Sequence, residues 1–192
     1  MTTITTAPSA EEAVEGLPAG FGSGTMGRVA FGIAIVFALF QLWTAAYGTL
    51  PSQVVRAMHV AFLLLLGFGL VGNLVARTSW GKIFFWGLGI LGFLTGIYNW
   101  VFYADLLKRS SFLTPFDLAV GTVTIVLVFE AARRLMGLPL ALISGIFLAY
   151  CFLGQYMPGP FVHRGYDFAQ IVEHFGFGTE GIYGTPVYVS AA

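Results

Sequence analysis

Residues 29–50 read VAFGIAIVFALFQLWTAAYGTL and contain no charged side chain. At about 1.5 Å of rise per residue, a helix of this length crosses the ~30 Å hydrocarbon core of a bilayer. Four further stretches are also long and predominantly apolar, namely residues 58–75, 83–103, 116–136 and 138–156. The sequence therefore predicts an all-α, polytopic transmembrane protein with about five membrane-spanning helices.

The composition agrees with a membrane protein and excludes several other classes. Of 192 residues, 57% are hydrophobic and only 9% are charged, whereas a soluble domain has roughly 25% charged residues. Nine basic residues balance nine acidic ones, so the positive surface that a nucleic-acid partner requires is not expected. The single cysteine, Cys151, excludes an intrachain disulfide and a cysteine-cluster metal site. No phosphate-binding loop and no catalytic constellation stand out, so we expect neither enzymatic activity nor a metal or cofactor site in this chain.

The regions outside the spans differ in composition from the spans and from each other. Residues 1–27 are rich in Thr, Ala, Gly and Glu and lack the positive start of a secretory signal, so we expect a disordered tail. Residues 28–156 form the predicted five-helix membrane domain. Residues 157–192 mix charged, glycine and aromatic residues, which predicts a polar, interfacial segment with a short interfacial helix over residues 167–175.

Capping signals place the boundaries of the last two spans. Thr114 can cap a helix whose first turn holds Pro115, and Asp117 stands where a capping-box acid belongs. Gly137 and Pro139 favour the end of one helix and the start of the next. Spans four and five should therefore form a tight antiparallel hairpin.

The positive charges are divided almost evenly between the two ends of the predicted bundle. One end holds Arg28, Arg77, Lys82, Arg133 and Arg134, and the other holds Arg56, Lys108, Arg109 and Arg164. Because positive residues favour the cytoplasm, the small excess predicts a cytoplasmic N-terminus.

The only cluster of charges within a span lies near the end of the fourth. Glu130 precedes Arg133 by three residues and Arg134 by four, so all three can meet on one helix face. One interpretation is a latch to another helix or subunit. The other is an ion cluster at the membrane interface that lets the arginines reach the headgroups.

The histidines and glycines permit further hypotheses. His59, with His163, could hold haem or a quinone in a membrane enzyme subunit, but the favoured interpretation of His59 is a polar residue near a helix start, beside Arg56. The stretch from His163 to Tyr166, which includes Arg164, is either a binding loop or a polar connection. Gly92 and Gly96 have the spacing that allows close helix approach, although this spacing is common in glycine-rich membrane chains.

Six stretches, in this order and spacing, resemble one transporter family. They are Phe37-Ala-Leu-Phe-Gln-Leu-Trp43, Arg56-Ala-Met-His59, Thr114-Pro-Phe-Asp-Leu-Ala-Val-Gly121, Glu130-Ala-Ala-Arg-Arg134, His163-Arg-Gly-Tyr166 and Thr179-Glu-Gly-Ile-Tyr-Gly184. Together they are similar to the N-terminal part of fused permease subunits of tripartite ATP-independent periplasmic (TRAP) transporters, in the branch that works with TAXI-type binding proteins. The resemblance covers about residues 30–190.

The resemblance implies a function. In this family a periplasmic solute-binding protein delivers an organic acid to a permease in the inner membrane of a bacterium or archaeon, and a cation gradient, commonly of sodium, drives uptake. The permease combines a small scaffold region with a large transport region that carries the substrate and cation sites. The chain would thus act with a TAXI-type binding protein, membrane lipid, and a large transport domain in cis or as a second subunit. Candidate structural or coupling residues are Glu130, Arg133, Arg134, His163, Arg164 and Glu180.

The sequence departs from the family pattern at its end. The stretch that begins at Glu180 resembles the start of the large region, and only eight residues follow Gly184. We therefore expect a truncated or split permease, whose substrate and sodium sites have no positions in this chain. The alternative is a non-transporting membrane anchor or assembly protein that recruits a partner through residues 157–181.

Overall fold

The structure, a computed structural model, describes residues 25–191 and consists there of helices joined by short connections. The α-helices are α1 (Thr25–Tyr47), α2 (Ser52–Leu74), α3 (Ser79–Val101), α4 (Tyr103–Lys108), α5 (Pro115–Leu135), α6 (Leu138–Leu153), α7 (Phe168–Gly176) and α8 (Thr185–Ala191). Two single turns of 3-10 helix, Gly154–Tyr156 and Gly159–Phe161, follow α6. The described residues contain no β-strand, which confirms the all-α prediction.

Five of these segments are long and apolar enough to cross a membrane, namely α1, α2, α3, α5, and α6 with the 3-10 turn that extends it to Tyr156. The chain is therefore a multi-pass membrane protein. Successive spans run in opposite directions, so the start of α1, the α2–α3 connection and the α5–α6 connection share one end of the bundle. We call this the N-terminal end, and we call the opposite end, where α6 finishes, the tail end.

The first three spanning helices begin earlier than the predicted spans. Helix α1 begins at Thr25, so residues 25–27 are helical and do not belong to a disordered tail. The rest of the predicted tail, residues 1–24, lies outside the described residues. Helix α2 begins at Ser52, six residues before the expected start, because its first turn contains polar residues that hydropathy alone assigns to a loop.

Helix α2 is the centre of the bundle, with 67% of its most apolar 18-residue window buried. Glycines on α3 allow this helix to approach α2 closely. A Cβ added at Gly92 would lie 2.9 Å from the Leu64 Cβ, and one at Gly96 would collide with the Ala61 Cβ. The small-residue spacing noted in the sequence therefore serves helix packing.

The predicted boundaries of α5 and α6 are confirmed. Thr114 and Asp117 form a complete capping box with Pro115 in the first turn. Gly137 has a φ of +91°, a left-handed conformation that glycine adopts without strain, and α6 begins at the next residue. The two helices pack against each other, as a two-residue connection requires.

Residues 157–191, which from here on we call the tail, fold back onto the tail end of the bundle. The predicted interfacial helix exists as α7, capped by Asp167, and it packs on α5 where Gly176 and Gly121 approach closely. Helix α8 then lies against α2. Tyr183, between them, is 1% exposed and joins the cluster of α2 and α5 side chains that includes Ala57 and Leu127. The tail thus contributes to the hydrophobic core.

Candidate functional site

The charged cluster on α5 forms within its own helix. The Glu130 carboxylate accepts two hydrogen bonds of 2.8 Å from Arg133 and one of 2.5 Å from Arg134. The Arg134 guanidinium also lies 4.6 Å from the centroid of the Phe85 ring on α3. The ionic contacts of Glu130 in the described chain are therefore local, and Arg134 links the cluster to a neighbouring helix by a cation–π contact.

The other three candidate residues lie at the tail end, away from Glu130, Arg133 and Arg134. The His163 imidazole is 3.1 Å from the Tyr150 carbonyl oxygen and accepts a hydrogen bond from the Gly165 N–H at Nδ1. It fits against the backbone of Gly154, where a Cβ would collide with the ring. Arg164 and Glu180 are exposed. The structure thus assigns the six candidates to two separate regions.

A buried carboxylate organises the start of α5. The Asp117 side chain is fully buried and accepts hydrogen bonds from the Tyr98 hydroxyl and from the backbone N–H and hydroxyl of Thr114. The Arg109 guanidinium lies 3.4 Å from it. This cluster ties α3, the α4–α5 linker and α5 together, because all three elements contribute to one buried charge.

Two polar side chains of α2 hold the tail in place. Arg56 donates a 2.8 Å hydrogen bond to the Tyr183 carbonyl oxygen and lies 4.5 Å from the centroid of the Tyr188 ring. Gln53 donates a hydrogen bond to the Phe177 carbonyl oxygen. Burial raises the pKa of the Tyr183 hydroxyl above its ordinary value, because an apolar environment disfavours the charged form.

The histidines do not form a shared site. His59 is buried, and its Nδ1 is 2.9 Å from the Gln41 side-chain nitrogen. Its Nε2 is 3.4 Å from the Ser190 hydroxyl, and Phe37 packs on the ring edge. The contacts of His163 involve none of these residues, so the structure does not bring together the two histidines of the haem or quinone hypothesis. Among residues 25–191, no group of three or more His, Cys, Asp or Glu side chains is placed to hold a metal ion.

A cavity of about 530 Å³ opens at the tail end, between α7, the end of α6 and the linker before α5. Its wall combines charged, aromatic and aliphatic groups with the single cysteine of the chain. The residues that line it include Cys151, Arg164, Tyr166, Ile171, Glu173 and His174. Glu173 is held in place, because its Oε1 accepts 2.8 Å and 2.7 Å hydrogen bonds from the Ser110 hydroxyl and the Ser111 N–H.

At the tail end, the sequence pattern pointed to His163, Arg164 and Glu180 as candidates, but not to the other charged groups. Arg109 was predicted only as a charge on one side of the membrane, and Arg56 as such a charge and as the first residue of one of the six stretches. The alternating direction of the spans could have identified both arginines as candidates, because it places them at the tail end, next to residues 157–191. Tyr183, the partner of Arg56, is 127 residues away in sequence. Asp117, the partner of Arg109, was already explained as part of a helix cap.

Comparisons with protein-family models, curated proteins and solved structures find no match to this chain.

Proposed function

We propose that this chain is the scaffold region of a TRAP-type permease for organic acids, in the inner membrane of a bacterium or archaeon. In this role it works with a TAXI-type periplasmic binding protein and with a large transport domain, supplied in cis or by a second membrane subunit. The transport domain carries the solute and couples its uptake to a cation gradient, commonly of sodium. The proposal starts from the resemblance of the six stretches.

One structural observation carries the proposal: stretches that bear the resemblance contact one another. Gln41 of the first meets His59 of the second. Arg56 of the second holds Tyr183 of the last, 127 residues away in sequence. Contacts between separated stretches at one end of a bundle fix the helices relative to one another. A rigid scaffold requires such contacts.

The outer helices supply the surface that a scaffold would offer. Helix α6 has no buried residue within the described chain, and most of its apolar side chains point away from the bundle. Those more than half exposed in its middle are Leu142, Ile143, Ile146 and Phe147. Such a face can contact either lipid or another membrane domain, and in this proposal it contacts the transport domain.

The position of the charges also supports a scaffold role. Helices α1, α2, α3 and α6 carry no charged side chain in their middle. In α5, Asp117 lies at one end of the helix and Glu130 near the other, and both have partners within the chain. Intramembrane charges often mark ion or proton paths, so we place the solute and cation sites in the transport domain.

Uptake assays in the native host test this proposal. Deletion of the gene should reduce uptake of at least one radiolabelled organic acid more than tenfold, and a plasmid copy should restore it. Replacement of external sodium by potassium should have the same effect, whereas depletion of ATP at a maintained gradient should not. Unchanged uptake of every acid tested, with the chain absent, would contradict the proposal.

A non-transporting anchor remains the second candidate, because exposed apolar side chains cluster in the tail. Phe161, Val162 and Phe168 are each more than half exposed. Replacing all three with serine should release a bound partner while the chain still inserts, if the tail recruits that partner. Organic acid uptake that requires both this chain and a second permease would instead exclude the anchor hypothesis.

A further inference from the structure

The cavity at the tail end lies at the depth where a phospholipid headgroup sits. Cys151 is five residues before Tyr156, where the last membrane span ends, and its carbonyl oxygen accepts a hydrogen bond from the Tyr166 N–H. The far wall is formed by α7, outside the spans. A ligand in this cavity would therefore lie at the boundary between hydrocarbon and water, where headgroups and interfacial aromatic residues meet.

The charged groups of the cavity are of both signs and are available to a ligand. Within residues 25–191, Arg164 forms no ion pair, and its guanidinium lies 5.4 Å from the centroid of the Tyr166 ring. His174 also lines the cavity and supplies an imidazole. Glu173 uses Oε1 for Ser110 and Ser111, while its Oε2 accepts no hydrogen bond from the described part of the chain.

This arrangement selects a ligand with two opposite charges. A guanidinium supplies several donors in one plane and suits the oxygens of a phosphate, and an imidazole can add a further donor. A carboxylate oxygen without a partner suits a primary ammonium, which donates hydrogen bonds. A quaternary ammonium has no N–H and cannot do so. The carboxylate would repel a ligand that carries only negative charge.

We propose that this cavity binds a phosphoethanolamine group, with the phosphate on Arg164 and His174 and the ammonium on Glu173. Its volume of about 530 Å³ falls in the range of small-molecule sites and exceeds what a phosphate alone fills. Ile171 and Phe175 provide apolar walls for the first methylene groups of the lipid acyl chains. The same chemistry occurs in phosphatidylethanolamine and in free phosphoethanolamine, and the experiment distinguishes the two sources. The site is independent of the proposed transport function.

The single cysteine of the chain reports on occupancy of the cavity. The full chain is purified in detergent, and the rate at which Cys151 reacts with N-ethylmaleimide is measured with added phosphatidylethanolamine, phosphatidylcholine or soluble phosphoethanolamine. We expect phosphatidylethanolamine to slow the reaction at least fivefold and phosphatidylcholine less than twofold. Equal protection by soluble phosphoethanolamine would support the site and identify a free ligand as its occupant.

Matched variants separate the cavity from general charge effects. Arg164→Ala should abolish the protection, whereas Arg77→Ala, which removes one exposed positive charge at the N-terminal end, should leave it unchanged. Native mass spectrometry gives a second readout, with phosphatidylethanolamine adducts reduced at least fivefold in Arg164→Ala only. Equal protection by both lipids, protection by neither, or identical behaviour of the two variants would overturn the proposal.

Discussion

At the scale of single residues, Asp117 is the group in the described chain whose burial requires the most compensating contacts. It is a carboxylate with 0% exposure, and three hydrogen bonds and one guanidinium compensate for the loss of water. A buried charge is stable only when such partners surround it. The sequence predicted the helix cap, whereas the contacts with Tyr98 and Arg109 required the fold.

Asp117→Asn should destabilise the protein although the side chain keeps its shape. The amide places an N–H donor among groups that already donate, and it leaves the buried part of Arg109 without a counter-charge. We expect the free energy of unfolding to fall by about 1–3 kcal/mol, measured by chemical unfolding in detergent with circular dichroism.

Asp105→Asn is the matched control for Asp117→Asn. Asp105 pairs with Lys108 at 3.7 Å, and both side chains are more than half exposed. Exposed pairs contribute about 0–1 kcal/mol, so this variant should remain close to wild type. Equal losses in the two variants would contradict the role assigned to Asp117.

Glu130→Gln should have a small effect, because the hydrogen-bond partners of Glu130 are Arg133 and Arg134 on its own helix. We expect insertion to be normal and the free energy of unfolding to change by no more than about 1 kcal/mol. The yield of any complex with a second membrane subunit should also stay the same. Loss of that complex, with normal insertion of the isolated chain, would instead show that Glu130 contacts another subunit.

At the scale of helices, α2 and α3 are the pair that defines the bundle. Glycines on α3 face small or aliphatic residues of α2, so the two backbones approach more closely than larger side chains allow. Association of helices in a membrane depends on such packing, because lipid is as apolar as the helix surface.

Gly96→Ala should separate α2 from α3, because the new Cβ would collide with the Ala61 Cβ. Overpacking of this kind costs about 1–3 kcal/mol, which a shift of the thermal unfolding midpoint in detergent would detect. Gly87→Ala is the control on the same helix, since a Cβ there meets nothing within 4 Å. It should be neutral or stabilising by up to ~1 kcal/mol through helix propensity.

At the scale of the whole molecule, the tail belongs to the same folded unit as the spans. Tyr183 is buried against α2, and Val172 and Phe177 pack where α5 has Gly121. Arg56 and Gln53 fix the backbone of this segment through its carbonyl groups. The tail therefore closes one end of the bundle while leaving the headgroup-level cavity open.

Ending the chain after Gly176 should leave insertion intact but weaken the folded bundle. Removal of Tyr183 uncovers apolar side chains of α2, including Ala57 and Val60. We expect aggregation on size-exclusion chromatography in detergent and an unfolding midpoint several degrees lower.

Val189→Ala, at a position that is 70% exposed, should behave like the wild type in the same assay. A truncated chain as stable as the full chain would show that the tail is an independent appendage.

The sequence by itself determined the class of the protein, the number of spans, the capping box at Thr114 and the turn at Gly137. These features depend on local properties, since hydrophobic length, proline and glycine conformation act over a few residues. Only the tertiary structure decided that α2 is central, that the tail covers one end, and that Arg164 and Glu173 share a cavity. Those results depend on contacts such as Arg56 with Tyr183, which join residues 127 positions apart. No local pattern encodes such a pairing, because it forms only when the intervening helices have packed.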